Sequence, residues 1–236
     1  MPIVDVIQTR DRRRDGVVAG CTFGLGVLTV ALLTRYNLTF CCVWSVGAIR
    51  PNYTFEEYLL VNIAGLVFFP FLLIFALRES VESFGFRAPE PGASRIALLL
   101  FAVMVPAIIV ASRRPEFQSY YPIQPQAAYV WRYFVYFELV YGFYLFCWEF
   151  FYRGFLTFGL SRFTGQVMAI ALQAVAFGLM HYGKPTPEFI GSFIAGGALG
   201  WLAIRARSFL PGFYLHWAVA FIFDVLAIHA KRGGIF

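Results

Sequence analysis

Seven stretches of the 236-residue chain, at about residues 17–34, 58–77, 96–112, 134–158, 166–182, 189–204 and 209–228, run with almost no charged side chain. A helix of about 20 apolar residues crosses the hydrocarbon core of a bilayer. The expected fold is therefore all-α, a polytopic membrane helical bundle with about seven transmembrane helices. Composition points the same way. At 60% hydrophobic and 14% charged, with 28 Phe, the chain is far more apolar than a soluble core requires. One stretch leaves the count open: "YNLTFCCVWSVGAI", residues 36–49, has only 14 residues and either dips into the membrane and returns or makes an eighth span.

The basic start, "MPIVDVIQTRDRRRDG" at 1–16, precedes an apolar run with no small-residue cleavage pattern, so it reads as a retained signal anchor with a cytoplasmic N-terminus. Seven spans then put ten arginines inside and eight lysines and arginines outside, in keeping with a multi-pass protein of the cell membrane. The net charge of +6 is accounted for by these flanks at a lipid surface, and nucleic acid is not an expected partner. Four cysteines without a CxxC pair suggest neither a disulfide framework nor a zinc ribbon. No repeat or linker divides residues 1–236, which read as one integral membrane domain. The polar loops at 78–95 and 112–127 separate spans nearly free of ionisable groups from a C-terminal half that contains Arg132, Glu138, Glu149, Arg153, His181, His216 and Asp224.

In "WEFFYRG", Glu149 and Arg153 stand four residues apart, about 400° around a helix, and so share a face. A purely structural ion pair is a costly use of a span that two apolar residues could fill, so these charges point to function. "FGLMH" places Phe177 and His181 one turn apart, and "GFYLHWAVAFIFD" puts His216 inside the last span. His229, beside Lys231 and Arg232, reads as interfacial. There is no HExxH and no GxSxG. A carboxylate and two imidazoles between helices could activate water directly, or hold a metal that does so, and either route leads to hydrolysis.

These three segments resemble, in order and spacing, the motifs EExxxR, FxxxH and HxxxN of the CAAX prenyl protease and bacteriocin-processing (CPBP) family, over roughly residues 130–230. The resemblance implies an intramembrane glutamate-type endopeptidase, metal-independent and without a cofactor, acting on a membrane-associated, lipidated or C-terminal peptide segment. Glu149, His181 and His216 are the expected catalytic residues: Glu149 activates water, His181 orients it or shares its proton, and His216 stabilises the oxyanion. Arg153 holds the carboxylate, with Phe177, Trp148 and Glu138 in support. Two positions depart from the family pattern. Trp148 replaces the first glutamate, generally taken as the base, and Ala220 replaces the last polar residue. Either Glu149 then serves as base itself, or Glu138, eleven residues earlier and about 20° away around the helix, does so. The alternative is a non-catalytic CPBP-like membrane scaffold or immunity-type protein that binds a peptide or protein partner in the bilayer. A transporter would want inverted repeats, and none is visible.

Overall fold

The computed structural model describes residues 2–36, 42–43, 48–49 and 54–233. Helix α1 (Pro2–Tyr36) is followed by α2 (Phe55–Ala76), α3 (Ala93–Ser112), the short α4 (Pro115–Tyr120), α5 (Trp131–Thr164), α6 (Gln166–Leu179), α7 (Thr186–Ala206) and α8 (Leu210–Arg232). Six of these, all but α4 and α6, are long and apolar enough to cross a membrane. The seventh expected span is α6, whose 14 residues extend only about 21 Å, less than the hydrocarbon core. It stops two residues short of His181, which lies in the turn that follows. Within residues 36–49, the described part is no eighth crossing: β1 (Cys42–Val43) and β2 (Ala48–Ile49) pair antiparallel, Cys42 opposite Ile49. Residues 37–41 and 44–47 lie outside the described set.

The helix ends alternate between two faces. On one face Glu79 receives Arg14 and Arg162, each at 2.7 Å, tying α1 and α5 to the loop after α2. The α7–α8 junction joins the same face through Ala206 O, which accepts from Glu90 N at 2.9 Å. On the opposite face Tyr121 donates to Glu188 at 2.6 Å, and Lys231 Nζ donates to Tyr121 O at 3.3 Å. The outer surface of the helices is apolar, as lipid demands: Val103 on α3, Val167 on α6 and Ile194 on α7 are all exposed.

Aromatic packing fills the centre. Phe71 of α2 stacks on Phe150 of α5 with centroids 4.9 Å apart, and Phe84, Phe155 and Phe209 close around them with no exposed surface. Small residues let helices approach. A Cβ at Gly142 of α5 would come within 2.4 Å of the Trp217 ring of α8, so glycine is the notch into which that indole seats. Gly165 takes φ +81° between α5 and α6, a backbone state that lets the chain reverse over a single residue. The course of α5 also changes within the membrane. From Phe150 to Leu156 it widens into a π-helix, and the hydroxyl of Thr157 donates to Tyr152 O, five residues back, at 2.8 Å.

Candidate active site

Glu149 is the last α-helical residue before this wide turn, and Arg153 lies inside it. Arg153 Nη1 stands 3.2 Å from Glu149 Oε1, and both side chains are completely buried. From α8, Nδ1 of His216 comes to 2.7 Å from the same Oε1, so one carboxylate oxygen is shared by a guanidinium and an imidazole. The His216 side chain keeps 20% of its surface exposed, whereas Glu149 keeps none. Enclosure separates the two residues functionally. Only the imidazole is open to a reactant.

Phe177 of α6 connects the other components. Its ring lies 3.9 Å beneath the Arg153 guanidinium, and its centroid is 4.5 Å from His181 and 6.0 Å from His216. Its backbone oxygen lies 2.8 Å from His181 Nδ1. A carbonyl only accepts, so Nδ1 carries the hydrogen and Nε2 of His181 keeps its lone pair. The same logic applied to the Glu149 carboxylate leaves a lone pair on Nε2 of His216. Because α6 ends early, His181 sits below the end of a full span and reaches the level at which Glu149 and His216 meet.

The structure thus brings together Glu149, Arg153, His181, His216 and Phe177, all singled out by the sequence. Trp148 joins them, its ring 5.8 Å from Phe177 and 5.7 Å from His181, and nearly buried. Glu138 does not. It lies on α5 about 16 Å from Glu149 along the axis, three turns away, and its carboxyl faces Asp224 of α8 instead. The spacing puts Glu138 and Glu149 on one helical face, but axial distance decides which groups can hold one water. Tyr152 was not singled out by the sequence. Its ring packs 5.3 Å from Phe177, and its hydroxyl, like Glu149 Oε2 and Arg153 Nη2, has no hydrogen-bonding partner among the described residues. An aromatic beside Arg153 offers no distinguishing mark in a chain holding 28 Phe and 13 Tyr.

The family model described as type II CAAX prenyl endopeptidase Rce1-like matches residues 127–222. Those residues, somewhat under half of the chain, are similar to that family. The matched stretch begins just before α5 and ends within α8, so it includes each residue that meets at Phe177. No curated protein and no solved structure matches the chain. With six helices long and apolar enough to cross a membrane, and a stretch similar to a family of membrane endopeptidases, the chain is a multi-pass membrane protein.

Proposed function

We propose that the protein is an intramembrane endopeptidase of the cell membrane that hydrolyses a membrane-associated peptide segment, with an imidazole rather than a carboxylate as the base that touches water. The observation that carries this reading is the 2.7 Å contact between His216 Nδ1 and a Glu149 carboxylate that has no exposed surface. An enclosed carboxylate is placed to orient an imidazole and stabilise its charge as it takes a proton, the relationship that operates in Ser-His-Asp sites. Nε2 of His216 removes a proton from water, Nε2 of His181 accepts the water's other hydrogen and fixes its direction, and the resulting hydroxide attacks the scissile carbonyl carbon. His216 then returns the proton to the departing amine, the C–N bond breaks, and Arg153 holds Glu149 in place throughout. The Rce1-like match favours a lipid-modified, C-terminal substrate segment.

Cleavage of a prenylated CAAX peptide in proteoliposomes tests this. His216→Ala should abolish turnover, and Glu149→Gln should lower it by about 10²–10⁴, since an amide supports the imidazole without stabilising its charge. Equal turnover by wild type and both variants would remove the imidazole mechanism.

A second reading has its own support in Trp148, whose indole packs against His181 where the family pattern has a glutamate. It describes a member of the fold that binds a peptide in the bilayer without cutting it. Stoichiometric binding of the same peptide with no product from the wild-type protein would decide for it.

A further inference from the structure

The seam between α5 and α8 is held at three levels: Glu149 with His216, Gly142 with Trp217, and, towards the opposite face, Glu138 with Asp224. The site described above uses only the first. Glu138 and Asp224 are 4% and 1% exposed, and among the described residues no donor reaches either oxygen of Glu138 or Oδ1 of Asp224. Two facing carboxylates of like charge at membrane depth would repel across a medium that screens them poorly. Either a cation or a proton must lie between them. No third His, Cys, Asp or Glu converges with the pair among the described residues, so the donor set for a metal ion is incomplete. A proton needs only the two carboxyls.

We propose that Glu138 and Asp224 share one proton, and that this shared hydrogen bond is a pH-sensitive clasp that sets the register of α5 against α8 and thereby positions Glu149 against His216. Both are positioning residues. Glu138 sits about three turns from Glu149 and Asp224 about two turns from His216, and they act through the helices that carry them. The charged and titratable groups around the pair are Tyr141 on α5, Lys184 just before α7 and Glu188 in its first turn. Lys184 and Glu188 neutralise each other at 2.7 Å, so they do not supply the missing counter-charge. With the proton in place the seam is closed. Losing it leaves two buried negative charges face to face and drives the helices apart.

The inference stands whether or not the site cleaves peptides, and its test needs no turnover. The full chain is placed in lipid nanodiscs and its unfolding temperature followed from pH 5 to pH 9. A carboxyl that keeps its proton only in the folded state stabilises most at low pH and loses that contribution as pH rises. Wild type should therefore lose several degrees across the range. Glu138→Gln, whose amide donates to Asp224 without titrating, should follow a flatter curve and equal or exceed wild type at pH 9. Infrared spectra should show a protonated-carboxyl C=O band in wild type at pH 7 that is missing from Glu138→Gln and from Asp224→Asn. Parallel unfolding curves for wild type and Glu138→Gln, or an infrared band that survives both substitutions, would overturn the proposal.

Discussion

The indole of Trp148 meets the imidazole of His181 edge-on, with ring centroids 5.7 Å apart and planes at 85°. The same indole packs against Tyr144, Tyr152 and Phe177, so it wedges the site together at the position where the family pattern has its first glutamate. Trp148→Glu should therefore act in two opposite directions. Loss of the wedge should destabilise the fold by about 3–5 kcal/mol, as large-to-small core changes do. A carboxylate beside His181 should raise cleavage per folded molecule by about 10² or more. Detergent unfolding and peptide cleavage measured on one preparation separate the two effects, and a folded variant with no gain in turnover would show that a carboxylate at residue 148 adds nothing to the imidazole base.

Gly142 is the second point to probe. Adding one methyl group there drives it to within 2.4 Å of the Trp217 ring, next in sequence to His216. Gly142→Ala should cost about 1–3 kcal/mol of stability and lower turnover with it. Combining it with Trp217→Leu should recover most of the stability, which thermal denaturation of the single and double variants would reveal.

On the face that carries Arg14 and Arg162, Glu79 ties the loop after α2 to two helices. Burial alone would raise the Glu79 carboxyl, but Arg162 and Arg14 outweigh it and hold it below the usual carboxylate range. A depressed carboxyl stabilises above its unfolded value, near 4.3, and that stabilisation disappears as pH falls through its folded value. Glu79→Gln should cost about 1–3 kcal/mol at pH 7 and nothing additional near pH 3. A constant difference between wild type and variant over that interval would contradict the ion-pair account.

The chain has two lysines, and they should react very differently. Burial would lower Lys184, yet Glu188 at 2.7 Å and the surrounding tyrosines raise it well above the ordinary lysine value. Lys231 ends α8 in an exposed position. Amine acylation at pH 9 should modify Lys231 at least about ten times faster than Lys184, because each pK unit changes the free-amine fraction tenfold. Peptide mapping by mass spectrometry reads the ratio directly. Tyr121→Phe, which removes the hydroxyl that accepts from Lys184 at 3.1 Å, should narrow it.

The spans were legible in the sequence because lipid imposes a simple rule on both length and charge. The expected runs at 58–77, 96–112 and 189–204 fall on Phe55–Ala76, Ala93–Ser112 and Thr186–Ala206 with ends displaced by a few residues. The convergence of Glu149, His181 and His216 was legible only through motif order, since nothing in the local pattern says that α6 stops at Leu179. The partner of Glu138 was hidden for a different reason. Helical spacing reports direction around an axis, and Glu138 and Asp224 meet only because two antiparallel helices adopt a particular register, one in which Trp217 also seats in the notch of Gly142. Widening of α5 after Glu149 likewise left no mark in composition, because Phe and Leu suit either type of helix.

That widened turn makes chain length a constraint in its own right. Between Phe150 and Leu156 the backbone holds more residues than an α-helix would use for the same rise. Relaxing it to ordinary helix with every residue kept would swing everything downstream by about 100°. Gly159, whose absent side chain leaves room for Thr22, would turn out of its contact with α1, and Arg162 would turn away from Glu79. Many of the apolar side chains in this segment are interchangeable in kind, whereas their number is not.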